Sequence, residues 1–167
     1  MSMYEDKHAL YRMYVSELEA VSDVKIFRSD DEIRRTADHY INSEHARWMN
    51  ILAVDDAAGK SHLAGFLIIC RKPECHEHAD YFVAQAYIEP RYRGRGLMAS
   101  RLDEYLEGHQ GVYCMLVYKH NTNAKSFWEH YFVDRAGYKK ARLHDMADRD
   151  DGLVMLAFKP KKHQKSD

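Results

Sequence analysis

The sequence predicts an α/β domain, a mixed sheet with helices packed on its faces. Three observations predict it. Two stretches of helical periodicity precede a run of strand-like segments, and strand and helix then alternate toward the C-terminus. One mostly apolar strand also runs into a turn of three arginines and two glycines, within "YIEPRYRGRGLMASRL", that opens a further helix.

Each element has its own signal. Leu10, Met13, Tyr14, Leu18 and Val21 recur at helical spacing, so residues 4–20 read as an amphipathic helix. "SDDEI" is a capping box, Ser29 with Glu32, for a helix that buries Ile33, Ala37, Tyr40 and Ile41. "RWMNILAVD" and "HLAGFLIICR" are strands joined by the turn-rich "DAAGKS". "DYFVAQAYIE" is a third strand, apolar enough to be buried on both faces, and residues 79–89 are expected at the centre of the sheet. After the turn, Leu97, Met98, Leu102, Tyr105 and Leu106 mark the inner face of a helix over about 96–108, with Arg101, Asp103, Glu104 and Glu107 outside. "GVYCMLVY" is a strand, residues 122 to about 134 a helix, and "YKKARLHDM", the turn "DRDDG" and the strand "LVMLAF" close the chain.

Composition excludes several classes. The 167 residues suit one domain, 1–160, with 161–167 a basic solvated tail. With 25 Lys and Arg against 26 Asp and Glu, nothing draws the chain to nucleic acid or an anionic membrane. No apolar run approaches the roughly 18 residues of a membrane span, and the N-terminus lacks a signal-peptide core. Three cysteines point to a reducing compartment, so a cytoplasmic protein is expected. Cys70, Cys75, His76 and His78 fall within nine residues, but C-x4-C-H-x-H matches no common zinc pattern and an ordinary loop is expected.

The arginine-glycine turn carries the chemistry. A helix N-terminus after a buried strand offers unpaired N–H groups and the positive end of a dipole. Gly94 and Gly96 let a backbone approach a pyrophosphate closely, and Arg91, Arg93 and Arg95 can add charge. A solvated basic turn is the plain alternative. "GRGLMA" also fits the dinucleotide pattern G-x-G-x-x-G/A, yet the next strand ends in "VYKHN" without the acid that holds a ribose.

Residues 47–158 resemble the GCN5-related N-acetyltransferase family. Its R/Q-x-x-G-x-G/A pattern follows a fourth strand. "RGRGLM" supplies Arg93 and Gly96, with Met98 at a position the family keeps small; "RYRGRG" satisfies the pattern fully, two residues earlier, and the first register is taken because it places the helix face better. "HNTNAKSFWEHYFVDRAGYKK" resembles the family's N-x-x-A-x-x-[LF]-Y-x-x-x-G-[FY] element through Asn121, Ala124, Phe127, Gly137 and Tyr138.

The resemblance implies a mixed, mostly antiparallel sheet that splays between the family's fourth and fifth strands. It implies acetyl-CoA as cosubstrate and direct transfer to a primary amine of a small molecule or peptide. Amides of Gly94, Arg95, Gly96, Leu97 and Met98 would hold the pyrophosphate. Ala86, Tyr87 and Ile88 would pair with the pantetheine arm, Asn121 would face its lower part, and an amide near Ala86 would polarise the thioester. Ala124, Phe127 and Trp128 would complete the cosubstrate site, Trp128 replacing the tyrosine that usually protonates the thiolate.

Tyr131 is the substitute acid, or plain core. A missing acid matters less than a missing base: a thiol of pKa near 8.5 leaves tolerably, whereas an alkylamine of pKa about 10.4 is neutral once in roughly 2,500 molecules at pH 7, nearly 5 kcal/mol. Phe82 stands where some relatives carry a glutamate, which leaves Asp80, or relay through water, as the base. A CoA- or nucleotide-binding module without chemistry is the rival reading, and a homodimer stays open.

Overall fold

The computed structural model describes residues 3–23, 25–55, 57–143 and 152–162. Helices α1 (Met3–Ser22) and α2 (Asp30–Asn42) lead into strands β1 (Ala46–Asp55), β2 (Lys60–Cys70) and β3 (Tyr81–Ile88). A 3₁₀ turn, Pro90–Tyr92, connects β3 to α3 (Leu97–Gly108). Then come β4 (Tyr113–Tyr118), α4 (Thr122–Glu129), a π-helical continuation His130–Arg135, β5 (Tyr138–Lys140) and β6 (Leu153–Pro160). The six strands lie in the order β1-β2-β3-β4-β6-β5, and every neighbouring pair is antiparallel except β3 with β4. The expected mixed α/β sheet is therefore present, with β3 and β4 taking the places of the family's fourth and fifth strands.

The two larger cores, one per face, hold the layers. Met98, Leu102, Tyr105 and Leu106 of α3 and Trp128 and Phe132 of the α4 region pack against Met49, Leu67, Val83 and Met115. On the other face Leu10, Tyr11 and Val15 of α1 and Ala37 of α2 cover Phe66, Ile68 and Tyr87. Both faces of β3 are thus covered, Val83 inward to one core, Phe82 and Ala84 to the other.

Some local expectations shift. Met13 and Val21 are exposed and Tyr11 is fully buried, so the inner stripe of α1 is rotated toward Tyr11 and Val15. The Ser29 hydroxyl accepts from Glu32 N–H at 3.2 Å as a cap should, but the Glu32 carboxylate reaches back to Arg28 N–H rather than to Ser29. Before Gly137 the α4 helix continues as the π-helical turns His130–Arg135, which hold additional residues without breaking the helix. Within "YKKARLHDM", β5 takes only Tyr138–Lys140. Residues 144–146 of that segment, the turn residues 148–151 and the tail beyond 162 lie outside the described residues.

Candidate active site

The sheet is open at its middle. β3 and β4 pair only over Tyr81–Val83 and Tyr113–Met115; beyond them no pairing joins the two strands. The opening coincides with a bulge in β3, where Ile69 pairs with Val83 and Ile68 with Gln85, leaving Ala84 as the extra residue. Glu89 N–H donates to Ala64 O in β2. Strand alternation then directs the backbone groups of Ala86 and Ile88 into the gap and those of Tyr87 toward β2. Gly65 confirms this: a Cβ there would lie 2.1 Å from the Tyr87 carbonyl. Of the three residues expected to pair with a pantetheine arm, Ala86 faces the gap with both backbone groups and Ile88 with its N–H, the Ile88 carbonyl being taken by Arg93. Tyr87 does not, because its backbone belongs to the β2 ladder.

From Ile88 the chain enters the turn. Gly94 and Gly96 have φ of 79° and 72°, values that side chains other than glycine rarely adopt. Gly96 is the N-cap of α3 and supplies no side-chain cap, while Ser100 N–H to Gly96 O closes the first helical turn. The amides of Leu97 and Met98 therefore stand at an uncapped helix N-terminus, the electrostatic requirement of an anion site. The two small positions of R/Q-x-x-G-x-G/A coincide with these left-handed glycines in the "RYRGRG" register, on Arg91, Gly94 and Gly96. The register through Met98 is corrected: Met98 lies inside α3, buried in the core, where no small residue is needed.

The arginines are engaged unequally. Arg93 donates through Nε to Ile88 O at 2.8 Å and through Nη2 to Glu17 Oε2 at 2.6 Å, so it crosses the mouth of the gap to α1. Arg91 pairs with Glu89 at 2.7 Å, and the guanidinium of Arg95 lies 5.5 Å from the Tyr92 ring centre. Glu17 is a member of this site that sequence reasoning missed. It precedes Arg93 by 76 residues, and nothing in the helical pattern of α1 separates it from an ordinary surface acid.

Asn121 caps α4 and accepts from Ala124 N–H at 3.1 Å. Ala124 and Trp128 pack into the core beside α3, and Phe127 is about a third exposed. Tyr131 and Asp80 are both held by partners within the fold. The Tyr131 hydroxyl is buried and donates to Asp103 Oδ1 at 2.9 Å, where Arg135 also binds. Burial, and then the Asp103 carboxylate, push its pKa up, which suits a core tyrosine rather than an acid. Asp80 Oδ2 accepts from Val112 N–H at 2.7 Å and sits over Gly111. It stands six residues, about 20 Å of strand, from Ala86, at the closed end of the β3–β4 pair. It lines a separate cleft of about 370 Å³ with Glu44, His45, Arg71, Lys72 and Tyr81. Cys70 is buried in β2, and Cys75 donates to Ala79 O at 3.6 Å in the loop that also carries His76 and His78.

The fold and this open seam match known proteins. The sequence signature of the Acetyltransferase (GNAT) family covers residues 7–132, so most of α1 and all of α2 fall within it although the resemblance in sequence began at residue 47. No curated protein sequence matches the chain. Among solved structures, an acetyltransferase from Thermus thermophilus superimposes with a TM-score of 0.61 at 18% identity, over 93% of this chain and 92% of that one. The spermidine N-acetyltransferase of Vibrio cholerae, solved with CoA and spermine, gives 0.55 at 13%, over 95% and 90%. Tetrahymena GCN5 gives 0.56 at 9%, over 93% and 86%. These identities speak for the fold, and the signature speaks for the family. The chain belongs to the acetyltransferase (GNAT) family of acetyl-CoA-dependent acyltransferases.

Proposed function

We propose that this protein transfers an acetyl group from acetyl-CoA directly to a primary amine of a small molecule or peptide. The observation that carries the reading is one continuous path: the unpaired edge of β3 at Ala86 and the Ile88 N–H leads through the Pro90–Tyr92 turn to a left-handed glycine turn and an uncapped helix N-terminus. A ligand with an amide-bearing arm and a pyrophosphate fits both halves of that path. Amides of residues 94–98 would take the pyrophosphate, with Arg95 adding charge, and Ala86 and Ile88 would take the arm as an added strand. The acetyl thioester supplies the activated acyl group. The Ala86 N–H would polarise its carbonyl, where a well-placed donor contributes about 3 kcal/mol.

The spermidine-acetylating neighbour supports an amine as acceptor class. No described helix is long and apolar enough to cross a membrane. The test is thiol release from acetyl-CoA across a panel of amines, with calorimetric titration of CoA alongside. Turnover with some amines supports transfer. CoA binding without turnover leaves a binding module, and absence of CoA binding removes the reading.

A further inference from the structure

The loop between β2 and β3 brings two cysteines together at the parallel seam. Ala79 N–H donates to His76 O at 3.0 Å, which folds the loop back on itself just before β3. Asp80 and Tyr81 N–H both donate to the Val112 carbonyl, so the end of the loop lies against the start of β4. Two residues farther along β4, Cys114 stands opposite Phe82 on one side and Ala157 of β6 on the other. Its side chain is fully buried in a smaller core with Ala79, Leu143 and Ala157. Cys75, Phe82 and Val112 pack against that core, so the loop presses its own cysteine onto Cys114. The two thiols are hydrogen-bond partners, and Cys75 in turn donates to Ala79 O at 3.6 Å. Both are free cysteines.

The pair is unequal. Cys75 is half-buried, whereas Cys114 has no exposed surface. The hydrogen bond from Cys114, and then the charge of Lys72 and the His76 N–H, hold the Cys75 thiol below its ordinary pKa, against its partial burial and the Asp80 carboxylate. The same bond, and then burial, push the Cys114 thiol up. The shared proton therefore stays on Cys114, and Cys75 has the thiolate character that a reactive cysteine needs, on the more accessible of the two sulfurs. Cys70 belongs to a different core, with α1 and α2, where burial and then the Glu74 carboxylate push its thiol up to about 12.

We propose that Cys75 and Cys114 form a reversible disulfide when the protein meets a hydroperoxide, tying the β2–β3 loop covalently to β4 across the parallel seam. The Cys75 sulfur attacks the peroxide, the O–O bond breaks, and Cys75 becomes a sulfenic acid as the distal oxygen leaves and is protonated to water. Cys114 then attacks the oxidised sulfur. The S–O bond breaks, and the departing oxygen leaves as water with the Cys114 proton. In sum the two thiols lose two protons and two electrons, and one hydrogen peroxide becomes two waters. A resolving thiol already in contact with Cys75 favours the disulfide over further oxidation. The cross-link closes a loop of about forty residues, which restricts the unfolded chain and should raise Tm by roughly 5–15 °C.

The experiment treats the reduced full-length protein with a few equivalents of hydrogen peroxide and blocks the remaining thiols with iodoacetamide in denaturant. Intact mass, unreduced peptide maps and a thermal melt follow. The wild type should keep one of its three thiols, lose the mass of two hydrogens and yield a peptide pair joined through Cys75 and Cys114, all reversed by dithiothreitol. Cys75→Ser should keep both remaining thiols at that dose. Cys114→Ser should stop at a Cys75 sulfenic acid that dimedone captures, and Cys70→Ala should oxidise as the wild type does. A wild type with all three thiols intact overturns the proposal and needs no variant to fold. So does a linkage through Cys70, a disulfide between two molecules, or Cys75 carried to a sulfinic acid while Cys114 stays free. The assay reads thiols and contains neither CoA nor an amine, so its failure leaves the acetyltransferase reading standing, and failure of that reading leaves the thiol pair.

Discussion

Replacing Gly96 with valine tests whether the turn is a phosphate cradle. In the free protein a Cβ at Gly96 would meet nothing within 4 Å, so the substitution creates no clash inside the chain. What it disturbs is the backbone, held at φ of 72°, where an ordinary residue loses about 1–2 kcal/mol and a β-branched one somewhat more. At 2–4 °C per kcal/mol for a domain of this size, Tm should fall by roughly 2–10 °C. A native stability of about 5–15 kcal/mol leaves the variant folded at room temperature. Binding should respond far more strongly. Removing two charge-assisted N–H hydrogen bonds, at about 1.5–3 kcal/mol each, weakens the Kd for CoA by 100-fold or more. Gly96→Ala, with a smaller intrusion at the same φ, should lie between. Calorimetric titration of CoA and of pantetheine, with circular dichroism and a thermal melt, separates the two effects: pantetheine affinity should change little, since it has no pyrophosphate. A folded Gly96→Val variant that binds CoA as tightly as wild type would refute the cradle.

Other perturbations follow from the same geometry. Arg93 is bound to Glu17 and Ile88 O in the free chain, so an incoming phosphate must compete with a carboxylate. Glu17→Gln should therefore tighten CoA several-fold and Arg93→Ala should weaken it, both effects shrinking at high salt in titrations; a looser Glu17→Gln variant would show that the pair orders the site. The guanidinium of Arg135, and then the Tyr131 hydroxyl, hold the Asp103 carboxyl below its ordinary pKa. Its contribution to stability is present above the unfolded value near 3.9 and is lost as pH falls through the lower folded value. The Tm gap between wild type and Asp103→Asn should thus be constant from pH 5 to 7 and close below about pH 4, which thermal melts across pH will check. Gly65→Ala would put a Cβ 2.1 Å from the Tyr87 carbonyl and should leave little folded protein, read by soluble yield and circular dichroism.

What was legible in the sequence follows range of interaction. Ser29 and the glycines announced helix starts because capping and φ are local matters. The apolar runs that became β1 to β4 and β6 were equally plain, since burial sets their composition. The inner face of α1 was misjudged by about one residue because Tyr11 counts poorly as apolar, although its ring is what the neighbouring aromatics surround. The roles of Tyr131 and Asp80 stayed open for a different reason. Each is a plausible acid or base by type, and only the fold reveals that its partner is Asp103 or Val112, about thirty residues away. Two overlapping registers of the glycine pattern could not be separated by letters, because helix-face packing favoured one while the signs of φ at Gly94 and Gly96 favour the other.

The short parallel seam between β3 and β4 has a mechanical consequence. With backbone pairing confined to Tyr81–Val83 and Tyr113–Met115, the molecule is two half-sheets, β1-β2-β3 and β4-β6-β5, hinged at one end and held elsewhere by side chains and helices. A ligand lying along the free edge of β3 completes the sheet and becomes a load-sharing strut between the halves. Occupancy should then be felt far from the turn: amide hydrogen exchange should slow in β4 and β6 as well as at Ala86 and Ile88, and unfolding should become steeper, as two loosely coupled plates begin to fail as one.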